Sequence, residues 1–327
     1  MDNFELNIGR ACNSRCVFCM SRKANRAERA WLPLDKARRE IRQARERGCS
    51  SLGFLGGEPT AYPHIEALVR YGRELGYERV ALGTNALKLA DGVFLDRLLA
   101  AGVTRVGVSF HSDLADIEDE LTRVAGAFER KRQALVNLVD AREQGRLPDN
   151  VSVNAVLHKR ILDRLAGLVA FFGGLGIDDV RFNSYRPVDG GAHDQALCPR
   201  FKDAVPALVS LIHANEGRLG AHLTFGDVPY CVWPWAFLAN PYLLGRYIGE
   251  RHDLSTSVAI FADGRSAHPS RDGLARFDWA EAKRAQLKVK AAACRTCAWD
   301  AVCEGFWKEY VEMYSLAELE PPVGVVP

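Results

Sequence analysis

A short apolar run followed by a longer amphipathic one recurs six times over roughly the first 185 residues, at about 25–35 residues per unit. This alternation constrains the fold more than any other feature of the chain. Two strands joined through a helix lie parallel, because the crossover returns the chain to the same end of the sheet. Strands are expected at residues 4–10, 52–55, 79–83, 104–110, 151–157 and 178–183. Helices are expected at 34–47, 63–75, 92–101, 125–144 and 161–175, four of them stopped by Gly48, Gly76, Gly102 and Gly176. Polar residues gather at the strand ends: three cysteines, then Gly56-Gly57-Glu58-Pro59, Thr84-Asn85, Ser109-Phe110-His111, and Arg181 with Asn183. In a barrel those ends meet on one face, where sites are built; in a doubly wound sheet they would spread along an edge. Six units are too few for the usual eight-stranded closure, so the expected fold class is α/β, an open, partial TIM-like barrel. The barrel is expected over residues 1–185, where the alternation stops, and residues 186–327 form a C-terminal extension.

Cys12, Cys16 and Cys19 have the spacing C-x3-C-x2-C. Three thiolates within eight residues converge on one soft metal centre if the loop curls around it. A structural zinc site closes with four protein ligands. Three thiolates on an iron–sulfur cubane leave one iron free. The motif resembles the cluster loop of the radical S-adenosylmethionine (SAM) superfamily, including the aromatic Phe18 before the last cysteine. One βα unit later, Gly56-Gly57-Glu58-Pro59 resembles the second motif of that superfamily. The resemblance covers most of residues 4–185 and implies the same (β/α)6 partial barrel.

The resemblance implies a [4Fe–4S] cluster on the three cysteines, with the amino and carboxylate groups of SAM on its open iron. It implies that the two glycines admit the backbone close to the ligand and that Glu58 meets the ammonium group of SAM. It places Ser109 and Asn154 against the ribose and carboxylate of SAM; Asn154 as a locally satisfied inward group is the alternative. Thr84 and Asn85 either line the same cavity or form an Asx turn. Arg181 is suited to pair with a carboxylate of SAM or of substrate. His111, with a side-chain pKa near neutrality, is a candidate substrate contact or proton relay, against a structural role.

The last third carries a second cysteine set. Cys294, Cys297 and Cys303 have the spacing C-x2-C-x5-C, and Cys231 upstream supplies a fourth ligand. Fe–S and zinc fit four cysteines equally well on ligand type. The segment resembles the auxiliary-cluster extensions called SPASM or twitch domains, in their shorter, single-cluster form, which implies a second [4Fe–4S] cluster. A helix is expected at 200–215 and strands at 222–226 and 258–264, the latter running into a turn. Cys49, after Gly48, is expected to be a buried bystander. Cys198 is a candidate hydrogen-atom donor, a replacement for Cys231, or a half-buried thiol. Trp233, Trp235 and Trp299 are expected to shield the second cluster or to line a substrate cavity.

Composition narrows the partners. With 43 basic and 41 acidic residues, the charge balance calls for neither nucleic acid nor membrane. No apolar stretch approaches the ~20 residues that span a bilayer, and Met1-Asp2-Asn3-Phe4 does not open a secretory signal. Nine cysteines without a signal point to a reducing cytoplasm and metal ligation. The resulting expectation is a radical SAM oxidoreductase-type enzyme with two clusters, using an electron donor such as flavodoxin or ferredoxin. Its expected substrate is a peptide, by a narrow margin over a small cyclitol or amino sugar. The rival of another class is a non-catalytic Fe–S or zinc protein on the same scaffold.

Overall fold

The computed structural model describes residues 3–21, 30–261 and 274–316. The expected loop at 22–29 and the expected turn at Ala262-Asp263-Gly264 lie outside them. The first half runs β1 (Asn3–Asn7), α1 (Leu34–Glu46), β2 (Ser51–Leu55), α2 (Ile65–Glu74), β3 (Arg79–Thr84), α3 (Gly92–Ala101), β4 (Arg105–Ser109), α4 (Ala115–Thr122), α5 (Ala127–Glu143) and β5 (Asn150–Leu157). Then come α6 (Leu165–Gly174), β6 (Asp179–Ser184), α7 (Ala192–Leu197), α8 (Phe201–Ala214), β7 (His222–Gly226), α9 (Trp235–Leu238) and α10 (Pro241–Tyr247). The chain closes with β8 (Thr256–Phe261), β9 (Leu274–Asp278), α11 (Trp279–Ala282), β10 (Lys288–Val289), β11 (Phe306–Trp307) and α12 (Lys308–Tyr314).

Local chemistry sets these elements. In β3 the side chains alternate, with Val80 and Leu82 fully buried and Ala81 and Gly83 on the other face. α3 starts where the Asp91 carboxylate accepts from Val93 N–H at 3.0 Å, and it stops at Gly102 with φ +108°. Burying Leu68 and Val69 on α2 contributes about 1.5–3 kcal/mol each.

One nine-stranded sheet carries the fold, in the order β7-β6-β5-β4-β3-β2-β1-β8-β9. β1 to β8 are parallel, and β9 pairs antiparallel with β8. The sheet is curled. Glu5 on β1 and Arg181 on β6 stand five places apart in the strand order, yet both interact with Asp253. A flat sheet would separate them by about 24 Å.

Two sequence expectations need correction. The alternation does not stop near residue 185: α8 leads into β7 beside β6, and β8 joins the free edge of β1. The sheet therefore runs across the expected boundary between 185 and 186. The second correction is α4, where no helix was expected. Its buried face carries Ile117 and Leu121 together with Glu118 and Thr122, so the apolar stripe is too sparse to register as a period.

Candidate functional site

The cysteine loop leaves the end of β1 and is held by the segments that follow β2, β3 and β4. Gly57 N–H donates to Gly9 O at 2.7 Å and Glu58 N–H to Ala11 O at 2.9 Å. Asn85 Nδ2 reaches Asn13 Oδ1 at 2.7 Å, Ser14 Oγ at 3.2 Å and Cys12 Sγ at 3.8 Å. The Phe18 ring packs edge-on against His111, with centroids 4.6 Å apart. Arg15 N–H and Val17 N–H donate to Thr122 O and Leu121 O at 3.0 and 2.9 Å. Those are among the last carbonyls of α4, which lack partners inside the helix.

The glycine pair serves this assembly. A Cβ on Gly57 would overlap Ala11 C, Ala11 O and Arg10 O, and one on Gly56 would stand 2.9 Å from Gly9 O. Their missing side chains thus admit the cysteine loop itself, where the sequence suggested close approach to a ligand. Glu58 also ties parts of the protein together. Its buried carboxylate accepts from Thr60 N–H at 2.9 Å, Thr60 Oγ1 at 2.7 Å, Thr84 Oγ1 at 2.5 Å and Asn85 N–H at 2.7 Å. It clamps the β2 end to the β3 end, with three donors on Oε1 and one, Asn85 N–H, on Oε2, so Oε2 keeps acceptor capacity. Pro59 starts the single 3-10 turn that this clamp caps. Asn85 Oδ1 accepts from Leu87 N–H at 3.1 Å, so the Asx turn is present while the amide holds the cysteine loop.

Ser109, Asn154 and Arg181 are brought together, in register across β4, β5 and β6. Thr224 of β7 extends the row, unforeseen from sequence. Arg181 already has a carboxylate: Nη1 and Nη2 meet Asp253 at 2.5 and 3.3 Å, which corrects its expected pairing with a ligand. His111 is buried, and its Nδ1 accepts from Val156 N–H at 3.2 Å, leaving the proton on Nε2. Burial, with the charges of Lys131 and His158, holds its pKa well below the usual histidine value. The ring extends the β4–β5 ladder through that bond. Cys198 lies in the apolar core, 1% exposed, which removes it as a hydrogen donor to a substrate in the mouth. Cys49 is buried as expected.

Beneath the loop sits a pair that sequence spacing did not signal. Lys131 Nζ on α5 meets Glu118 Oε1 on α4 at 2.6 Å and Ser109 O at 2.8 Å, while Glu118 Oε2 accepts from His111 N–H at 2.8 Å. Both side chains are essentially unexposed.

The thiols of the loop feel one another. Burial pushes Cys12 up to about 11 and Cys16 up to about 12, and both are raised further by Cys19. The second set also assembles. Burial pushes Cys231 up to about 12, and Cys303, Cys294 and Cys297 all add to the shift. Cys198 is therefore not needed as a replacement ligand. Trp299 stacks on Tyr230 beside Cys231, with centroids 4.7 Å apart, and Trp233 stacks on Phe237. Trp235 is 56% exposed and leaves that aromatic group. Among the described residues no three cysteine sulfurs lie within 4.8 Å of one another. Thiolates around one zinc ion would stand about 3.8 Å apart. A thiol that coordinates a metal is deprotonated outright.

The family model described as the Radical SAM superfamily matches residues 6–171, about half of the chain. A protein of Saccharolobus solfataricus named "Probable GTP 3',8-cyclase" is 27% identical over 191 residues, 58% of this chain. The match spans 59% of that relative's length. The crystal structure of Streptococcus suis SuiB bound to precursor peptide SuiA aligns over 98% of this chain and 74% of that one, with TM-score 0.66 and 20% identity. The structure of anSMEcpe with bound AdoMet and Cp18Cys peptide aligns over 98% and 92%, with TM-score 0.62 and 16% identity. These likenesses show a shared fold, with the partial barrel and the C-terminal extension both included. No helix among the described residues is long and apolar enough to cross a membrane.

Proposed function

The chain belongs to the radical SAM superfamily, and from that premise we propose that it is a two-cluster enzyme that modifies a peptide. Cys12, Cys16 and Cys19 would hold the SAM-binding [4Fe–4S] cluster; Cys231, Cys294, Cys297 and Cys303 would hold an auxiliary one. When bound, the first cluster and SAM supply a 5′-deoxyadenosyl radical that abstracts hydrogen from a substrate C–H bond. The protein's own part is to fix the loop and shape the cavity. Gly57, Glu58, Asn85 and His111 position the cysteines, and Ser109, Asn154 and Thr224 offer one polar row on the inner sheet face. An external electron donor completes the system.

The observation that carries the two-cluster reading is that Cys231, 63 or more residues upstream, comes near enough to Cys294, Cys297 and Cys303 to feel all three, on a fold shared over 98% of the chain. The peptide reading is supported by those same two structures, each of which holds a peptide. The name of the cyclase relative favours a small-molecule substrate instead, and its match covers only 58% of this chain.

Anaerobic reconstitution tests the core of the proposal. About eight irons per chain are expected, two cubanes, with 5′-deoxyadenosine formed on adding SAM and dithionite. A fully loaded protein that leaves SAM intact would overturn the enzyme reading. About four irons accompanied by zinc would remove the auxiliary cluster. Mass shifts on candidate peptides, compared with candidate sugars, decide the substrate class.

A further inference from the structure

A buried ionic network links the end of β7 to the second cysteine set. Asp227 directly follows β7, with φ +62°, and its N–H donates to Glu250 Oε1 at 2.5 Å. Lys288 Nζ on β10 meets Asp227 Oδ1 at 2.6 Å and Glu304 Oε2 at 2.7 Å. Lys283 Nζ meets the same Glu304 oxygen at 2.8 Å. The side chains of Lys283 and Lys288 are 3% and 2% exposed. Glu304 is the residue after Cys303, and the charges of Lys290 and, buried in this network, Lys288 both act on the Cys303 sulfur. Lys288 also stands 4.7 Å from the Trp307 ring centre, which carries Arg186 at 4.5 Å as well.

Packing alone gives no reason for this. A buried ion pair is a poor source of stability, because desolvating the charges offsets their attraction, and apolar residues of similar volume serve as well. A fixed charge beside a redox centre has a different effect. In a low-dielectric surrounding it shifts the free energy of adding an electron, and hydrogen bonds and charge near the sulfurs set cluster potentials.

We propose that Lys288 tunes the reduction potential of the centre held by Cys231, Cys294, Cys297 and Cys303. Its ammonium favours the reduced state and makes that centre a better electron acceptor, while Asp227 opposes it. This rests on the reading that the four cysteines hold a redox cluster. Lys288 is a positioning residue for charge and makes no contact with SAM or substrate in this role.

The test is a potentiometric titration of the full-length, reconstituted protein, followed by electron paramagnetic resonance in a Cys16→Ala background that leaves the second centre alone. Lys288→Met should shift the midpoint to more negative potential, Asp227→Asn to more positive, and Lys288→Arg should leave it in place. Should Lys288→Met fail to take up iron, the Asp227→Asn and Lys288→Arg pair still decides. Unmoved midpoints in the charge-removing variants, at parental iron content, would overturn the role of Lys288 and leave the second centre standing. A parent without iron in the second set would instead refute the centre itself.

Discussion

Removing one charge from the Glu118–Lys131 pair should loosen the site from below. Glu118→Gln keeps the shape but has one acceptor where the carboxylate uses two: with its oxygen on His111 N–H, its NH2 faces the buried Lys131 ammonium, which keeps Ser109 O as a neutral acceptor. Unpartnering a buried charge costs about 3–5 kcal/mol. The lost acceptor places this variant toward the upper end, about 5 kcal/mol. That is a large part of the 5–15 kcal/mol typical of a domain. Equilibrium urea unfolding of the reduced apoprotein measures it. Iron uptake should fall in parallel, because α4 presents the Leu121 and Thr122 carbonyls that hold Arg15 and Val17. The double variant Glu118→Leu/Lys131→Met, which removes both charges but leaves His111 N–H without its acceptor, should recover most of that loss and lie about 1–3 kcal/mol below the parent. A single-variant loss below about 1 kcal/mol, or a double variant as unstable as the two singles summed, would refute the reasoning.

Gly57→Ala should lower iron uptake and SAM cleavage together, since overpacking costs about 1–3 kcal/mol and the neighbours are backbone atoms; a variant with parental iron and cleavage would contradict the close-approach role. Cys198→Ala should keep both SAM cleavage and product, and loss of product alone would restore Cys198 as a hydrogen donor. Burial lowers the His158 pKa to about 4, below its unfolded value of ~6.5, so the unfolded chain binds more protons between those values. Its contribution is therefore full above pH 6.5 and is lost as pH falls toward 4, about 3 kcal/mol in all. Urea midpoints at pH 7.5 and 5 should differ less in His158→Gln than in the parent.

The parts of the fold readable from sequence were those set by near neighbours in the chain. Short apolar runs marked the strands β1 to β6, and positive-φ glycines such as Gly102 marked helix ends. The two cysteine sets were legible because their ligands sit a few residues apart within each run. The role of Glu58 was not, because its carboxylate is claimed by Thr84 and Asn85 from the next βα unit. Arg181 was misread for the same reason: Asp253, its partner, lies 72 residues away. β7 and β8 were recognised as strands, but their membership in the main sheet depends on edges that β6 and β1 leave open. Nothing local to residues 222–226 or 256–261 records that opening.

The place of β1 also bears on the order in which the protein can be built. Its two neighbours are β2 and β8, and Asn3 Nδ2 donates to Thr256 Oγ1 at 3.1 Å, a pair 253 residues apart. At about 5–20 residues per second, a nascent chain carries β1 and its cysteine loop for tens of seconds before β8 emerges. Through that interval β1 has one unpaired edge, and the loop can bind iron before the sheet behind it is complete. The first cysteine set is made early and enclosed late, a window that the second set, completed only when Cys294, Cys297 and Cys303 follow β8, does not share.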